Sequence, residues 1–315
     1  MNHIVISSRV RLARNLKEFP FPSESTPSEK VIHAVKKAAG SEFTCLECNS
    51  MPPLDKQAMV EQHLISPALA NRKNGAVLLN RDQSISIMVN EEDHLRIQCM
   101  MPGFQLKEAY ERANKTDDRL EEHLTYAFDS EIGYLTSCPT NAGTGLRASV
   151  MLHLPALTAN HQMNSLIASV GKMGFAVRGM YGEGSQAEGD CYQISNQITL
   201  GLSEEETLQR LQSVTEQLIE REQQLRQAML ERNRAKMCDM IWRAFGTVKY
   251  AQIMTSREFM TLASQIRLGI SLGIITHIKS ETLNRLMTQI QPAHLQQHFG
   301  KELSPEERDM MRAEY

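Results

Sequence analysis

The string Cys138-Pro139-Thr140-Asn141-Ala142-Gly143-Thr144-Gly145-Leu146-Arg147 puts a thiol and a guanidinium at opposite ends of a short polar loop with two glycines. A thiolate can hold a cation, and a guanidinium an anion. Arg9, Arg11, Arg96 and Arg178 each sit, like Arg147, on the polar side of an alternating stretch. Arginine keeps its charge at any accessible pH and offers phosphate oxygens a planar fork of donors, so arginines converging on one sheet face suit a polyphosphate. Neither a Walker loop nor a kinase glycine-rich loop with its lysine is present, so a nucleotide would be held by arginines. Asn90-Glu91-Glu92-Asp93-His94 sets three carboxylates on one tight turn. Their mutual repulsion suits a magnesium ion or a cationic substrate. Glu183, inside the glycine-rich run from Gly179 to Gly189, is a further carboxylate on a segment able to close over a substrate. A guanidinium acceptor unites these parts: it is a poor nucleophile with a pKa above about 12, and needs carboxylates to orient it and take its proton. Cys138 would hold another of its nitrogens.

These groups need a sheet to bring them together. Ile4, Ile6, Ser8, Val10 and Leu12 alternate with Val5, Ser7, Arg9 and Arg11, which predicts a strand with both arginines on one face. A proline-marked loop (Pro20, Pro22, Pro27) follows, then an amphipathic helix from Ser28 to Ala39 ended by Gly40. A helix over Leu54–Leu64 is expected to stop at Ile65-Ser66-Pro67. Gly75–Leu79 and Ser84–Val89 read as a hairpin, His94–Met100 as a third strand, and Leu106–His123 as a charged helix. After the cysteine loop, Ala148, Val150, Leu152 and Leu154 face one way, with Arg147, Ser149, Met151 and His153 opposite. Thr158–Met173 predicts a helix, Phe175–Arg178 a short strand, and Tyr192–Leu200 the last strand. Ser203-Glu-Glu-Glu206 is a capping box opening a long helix to about Arg234, and only short helices follow Met237. The expectation is a division into residues 1–230 and an all-helical part, 231–315.

With Lys+Arg 34 against Asp+Glu 37, the formal net charge of the 315 residues is -3, so no global field attracts nucleic acid or an anionic membrane. Any anion site must be built locally. The six cysteines follow no framework spacing, no signal region opens the chain, and no apolar run is long enough to span a bilayer. A reduced, cytoplasmic protein is expected. Cys45-x-x-Cys48 lacks a second pair and reads as two ordinary thiols on a loop, with no metal.

The strings SSRVR, NEEDHLR, CPTNAGTGLR and RGMYGEG are similar, in order, to the motif series of the phosphagen (guanidino) kinases, from Ile4 to beyond Arg308. The chain most resembles the bacterial branch that acts on arginine side chains in proteins. That resemblance implies an α+β fold: an antiparallel sheet flanked by helices, like glutamine synthetase, with a C-terminal helical domain. It implies ATP and Mg2+, with nucleotide contacts from Ser7, Ser8, Arg9, Val10 and Arg11, from His63 and Arg96, and from Arg147, Ala148, Ser149, Val150 and Met151. Arg178, Gly179, Met180, Tyr181, Gly182 and Glu183 would line the same pocket. Glu92 matches the carboxylate that positions and deprotonates the acceptor, Glu183 its partner and Cys138 the essential thiol, with Glu91 beside them.

Two features point to a protein acceptor. Small-molecule members carry a helical domain ahead of the first strand, where this chain has a few residues, and they end near the long helix. This chain adds Arg308-Asp309-Met310-Met311-Arg312-Ala313, similar to a motif implicated in allosteric phosphoarginine binding at Arg308, Asp309, Arg312 and Ala313, within a dimerising domain. Taken bare, Arg308 and Arg312 are an i,i+4 pair on an exposed helix. The family also implies a homodimer, an activating zinc-finger protein, a heat-shock repressor and a Clp-type unfoldase as partners. A kinase of free arginine and a weakly active phosphoarginine-binding adaptor are the alternatives. Gln186 stands where relatives commonly carry Glu.

Overall fold

A computed structural model of the chain describes residues 3–22, 28–179 and 187–315. Strand β1 (Val5–Arg14) leads to helix α1 (Glu29–Ala39), strand β2 (Phe43–Glu47), and the short helices α2 (Pro53–Glu61) and α3 (Pro67–Ala70). Strands β3 (Ala76–Asn80), β4 (Ile85–Val89) and β5 (Leu95–Pro102) precede helix α4 (Leu106–Glu121) and a small ribbon, β6 (Phe128–Asp129) with β7 (Gly133–Tyr134). Strand β8 (Leu146–His153), helices α5 (Pro155–Ala159) and α6 (Met163–Lys172), and strands β9 (Phe175–Gly179) and β10 (Cys191–Asn196) come next. The rest is helical: α7 (Glu204–Arg232), α8 (Arg234–Tyr250), α9 (Ser256–Ser271), α10 (Ser280–Gln289), α11 (Pro292–Phe299) and α12 (Pro305–Glu314). The long strands form one eight-stranded sheet in the order β2-β3-β4-β5-β1-β8-β10-β9, and β2 through β5 and β1 pair antiparallel.

Period-two patterning places the site. In β1, Ser8, Val10 and Leu12 are buried, whereas Ser7, Arg9 and Arg11 are half-buried on the opposite face. The β1–β5 register sets Arg11 opposite Gln98 and Ala13 opposite Arg96, so Arg96 follows Arg11 diagonally. Ser28 caps α1 by accepting from the Lys30 amide, and Ser203 with Glu206 forms the expected capping box of α7.

Several expected elements differ. The helix of Leu54–Leu64 ends at Glu61, because His63 turns to φ 59. The helix of Thr158–Met173 is two helices, α5 and α6, broken where His161 adopts φ 56. The last strand stops at Asn196 rather than Leu200. There the Asn196 side chain accepts from the Ala148 amide and donates to the Leu146 and Ile198 carbonyls, replacing ladder bonds. Cys45 lies on β2, opposite Leu78, and is not a loop thiol, whereas Cys48 lies in the turn that follows but is buried with Met59, Leu69 and Val77.

The chain divides into two compact units. One holds Ser7–Ser149 and Ser195–Gln212, and the other Met1–Ile6, Val150–Ile194 and Ser213–Tyr315. In the first, α4 packs on β5 and α1 on α4 and β4, while α2 and α3 share a core with Val77, Leu79 and Met88. Covered strands need apolar side chains on both faces, which is why β4 is buried throughout.

The second unit has two apolar cores, one around Met237, Ile241, Ile266 and Leu283, the other around Cys191, Met254, Phe259 and Met287. A buried polar network accompanies them. Glu222 accepts from the Ala156 and Leu157 amides (3.0 and 2.9 Å) and pairs with Arg226 Nε at 2.7 Å. Arg226 also donates to the His153 carbonyl and to Ser271, and His153 meets Ser264, which donates to Asp190. His153, expected on a polar strand face, is thus fully buried, and burial followed by the neighbouring Arg226 holds its imidazole neutral, well below the usual histidine range.

Arg312 is buried as well, donating to the Met254 and Ile290 carbonyls and to Asp309 (2.7, 3.1 and 2.5 Å). The pair with Arg308 is therefore unequal: Arg312 fastens α12, and Arg308 is half-buried on the same helix.

Removing one partner of the Glu222–Arg226 pair strands a buried cation and two amides. Glu222→Ala should cost about 3–5 kcal/mol of stability, read as a lowered denaturant midpoint. An unchanged midpoint would show that the pair contributes nothing to the fold.

Candidate active site

Four arginines from distant segments gather on one side of the first unit. Arg9 and Arg11 come from β1, Arg96 from β5 and Arg147 from the start of β8. Burial first, then the charge of Arg96, lowers Arg9 to about 10. Arg11 is pushed well below the ordinary arginine range by burial and then by Arg9, Arg96 and Arg147, with Glu91 opposing. The Nε of Arg11 is buried with no hydrogen-bond partner among the described residues. Crowded, partly desolvated cations with an unmet donor define a site for a multiply charged anion, and phosphate oxygens meet both needs. His63 borders the cluster. Burial, reinforced by Arg9, lowers its imidazole to about 4, so it offers the site a neutral ring.

The carboxylates of the β4–β5 turn point to three different tasks. Glu91 is buried and holds Arg96 Nη1 at 2.7 Å, while also accepting from Ser66. Asp93 is buried and accepts from Asn15 and from the Ser137 amide. Only Glu92 is exposed, 3.4 Å from Arg96 Nη2. Its carboxyl is raised, chiefly by burial against the opposing Arg96, with Asp93 and Glu91 adding to the rise. A raised carboxyl is a stronger base. The repulsion expected among three clustered carboxylates is thus relieved by turning two of them into fixed partners.

The cysteine loop joins the two sides. Arg147 is locked by Asn141 Oδ1, the Asn196 carbonyl and Thr140, whose Oγ1 lies 3.2 Å from Nη2. The same Thr140 hydroxyl is 3.0 Å from Cys138 Sγ. Tyr134 and Gly143 exchange backbone bonds, closing the loop at its base. Gly143 takes φ 102, and a Cβ there would collide with the Thr199 carbonyl, so only glycine fits. Buried Arg14 braces the far side, donating to Asp117 Oδ2 and to the Thr144 carbonyl with its Cζ 3.5 Å from the Tyr134 ring centre.

Residues 27–225 match the family described as ATP:guanido phosphotransferase, C-terminal catalytic domain, and residues 234–315 match a protein-arginine kinase McsB C-terminal domain. The chain belongs to the ATP:guanido phosphotransferase family. A protein-arginine kinase of Caldanaerobacter subterraneus subsp. tengcongensis is 52% identical over 99% of this chain and 95% of its own length. One from Brevibacillus brevis is 48% identical over 98% of this chain and 90% of its own. Among solved structures, lombricine kinase superposes with a TM-score of 0.65 at 26% identity, covering 71% of this chain and 68% of that one. The antiparallel sheet with flanking helices is the fold of these guanidino kinases, and the chain is an ATP-dependent phosphotransferase.

Seen as a guanido phosphotransferase, the chain distributes its expected site residues unevenly. Arg9, Arg11, Arg96, Arg147, His63, Glu92 and Cys138 all lie in the first unit. Ser8 instead bonds the Gly103 carbonyl and the Gln105 amide, and Val10, Ala148 and Val150 are core. Ser149 is buried, and Ser7 and Met151 are half-buried. Arg178 is half-buried and Gly179 buried on β9, in the second unit. Met180, Tyr181, Gly182, Glu183 and Gln186 lie outside the described residues. Arg14 and Asn15 are absent from the expected set. Arg14 had a visible signal: it falls in phase with Val10 and Leu12, where a charge must be buried and paired.

A neutral His63 has a pH signature. Its folded value of about 4 lies below the ordinary 6.5, so its contribution is complete above 6.5 and declines as pH falls toward 4. The imidazole resonance of His63, assigned with His63→Ala, should titrate near about 4; a midpoint near 6.5 would contradict the half-buried, Arg9-facing placement.

Proposed function

We propose that this enzyme transfers the γ-phosphate of ATP to the guanidinium of arginine side chains in proteins. The observation that carries it is the Cys138–Thr140–Arg147 chain of contacts, which links a thiol suited to a cationic acceptor with an arginine suited to phosphate. Similarity to protein-arginine kinases over nearly the whole chain, including the helical residues 234–315, supports a protein acceptor over a free one.

ATP would enter as its magnesium complex, the metal offsetting phosphate charge as part of the substrate. Arg9, Arg11, Arg96 and Arg147 neutralise the phosphate charge and hold the γ-phosphorus in line with the incoming nitrogen. Glu92 orients the guanidinium and takes its proton as the P–N bond forms and the bond to the β-phosphate oxygen breaks, leaving ADP. Cys138 holds a second guanidinium nitrogen and acts as a positioning and electrostatic group, not a covalent nucleophile. Glu183 would assist from the glycine-rich loop.

The same reading assigns residues 1–230 to catalysis and 231–315 to dimerisation and phosphoarginine sensing through Arg308, Asp309, Arg312 and Ala313. Exposed Trp242, Tyr250 and Ile253, on and just after α8, support a surface for a second copy. No described helix is long and apolar enough to cross a membrane, which is compatible with a cytoplasmic enzyme. A zinc-finger activator, a heat-shock repressor and a Clp-type unfoldase are the proposed partners.

Incubated with Mg-ATP, the chain should place acid-labile phosphate on an unfolded, arginine-containing protein; labelling of free arginine alone would sink the proposal. Glu92→Ala should lower kcat by about 10²–10⁴-fold, with the thermal midpoint preserved. Cys138→Ala should also remove most activity, and near-normal turnover would refute the role of the thiol.

A further inference from the structure

Asn15 follows the last residue of β1 and is almost wholly buried, at 1% exposure. Its carboxamide makes three bonds to two other segments. Nδ2 donates to Asp93 Oδ1 at 2.7 Å and to the Leu135 carbonyl at 3.2 Å, and Oδ1 accepts from the His94 amide at 2.8 Å. Its backbone carbonyl accepts from Ala127 at 2.7 Å. Asp93 Oδ1 accepts a second bond, 2.6 Å from the amide of Ser137.

These side-chain contacts lie one to three residues from a reacting group. Asp93 and His94 follow Glu92, and Ser137 precedes Cys138. His94 is fixed in turn: its Nδ1 accepts from the Leu16 amide at 3.0 Å, and its Nε2 meets the Pro20 carbonyl at 3.0 Å. Glu92 and Cys138 share no side-chain bond with each other among those described; the Asp93–Ser137 bond and the Asn15 carboxamide join their segments, so their separation is set through this buried junction. We propose that Asn15 and Asp93 are positioning residues that hold Glu92 and Cys138 at the spacing of one guanidinium. This rests on the assignment of Glu92 and Cys138 to the acceptor.

A guanidinium is rigid and planar, so the groups gripping two of its nitrogens must keep a fixed distance, and a small misplacement lowers the rate steeply. Bonds behind reacting side chains supply that constraint. Asp93 acts through one oxygen that accepts twice, a task a carboxamide oxygen can also perform. Its charge is then dispensable and its geometry is not.

The full chain, assayed with Mg-ATP and an unfolded arginine-containing protein, separates these roles. Asn15→Ala and Asp93→Ala should each lower kcat by about 10–100-fold, a range common for groups that orient reacting residues. The KM for ATP should stay within about two-fold, since the arginine cluster is untouched. Asp93→Asn, which keeps the acceptor oxygen and the side-chain volume, should restore most of kcat. Iodoacetamide labelling of the Cys138 peptide, followed by mass spectrometry, should accelerate several-fold in Asn15→Ala and Asp93→Ala but not in Asp93→Asn.

Wild-type kcat in Asn15→Ala, with Glu92→Ala inactive, would overturn the proposal and leave the acceptor assignment standing. Asp93→Asn as impaired as Asp93→Ala would overturn it too, and this nearly isosteric variant remains informative if Asn15→Ala does not fold. Full activity in both Glu92→Ala and Cys138→Ala would instead defeat the assignment, and unchanged Cys138 labelling in Asn15→Ala would then overturn the junction on its own readout.

Discussion

Repulsion among like charges is the constraint on which the rest of this structure depends. Arg9, Arg11, Arg96 and Arg147 are held close enough to perturb one another, on a surface where burial already penalises charge. Such a cluster persists only if every member is anchored by something stronger than its aversion to the others. Strand pairing fixes Arg9, Arg11 and Arg96, Glu91 grips Arg96, and the carbonyls of Thr140 in the cysteine loop and Asn196 at the end of β10 grip Arg147. The cost of assembling these charges resides in the protein itself, and under the proposed function the anion of the nucleotide would relieve it. Preorganisation of this kind is how phosphoryl transfer is promoted where the protein performs little covalent chemistry.

The carboxylate turn follows the opposite logic. Three adjacent carboxylates would repel, and the fold disperses them: one to an arginine, one to an amide and a carboxamide, one to the surface. Positive charge is thereby concentrated on one side of the cysteine loop, and on the other a single carboxylate, Glu92, is left exposed. The loop between the two sides is stiff because its glycines occupy conformations and spaces closed to other residues, with Gly145 pressed against the Ala13 carbonyl as Gly143 is against Thr199.

The arginine cluster was legible because strand periodicity is local: alternation in β1 and β5 assigns faces without knowledge of their partners. The division of labour among Glu91, Glu92 and Asp93 was not, since it depends on Ser66, Asn15 and Ser137, remote in sequence. Burial of Ser149 and His153 was hidden for a related reason: a polar residue opposite an apolar one suggests solvent until helices are known to cover both faces. Residues such as His63 and His161 adopt positive φ without being glycine, so the helix breaks they cause carry no compositional mark. Strand β2 was missed because it lies at the sheet edge and is only partly buried, which leaves Phe43–Glu47 without a clean pattern.

The buried Arg14–Asp117 pair bears on folding as well as on packing. A strand side chain changes face with every residue, so a slip of one position in β1 would turn Val10 and Leu12 outward and Arg9 and Arg11 inward. The same slip would pull Arg14 off Asp117 and abandon a carboxylate in the interior, among the larger penalties a fold can incur. The pair thus works as a register lock. It discriminates against the one misalignment that would build a sound-looking sheet with its clustered arginines on the wrong side.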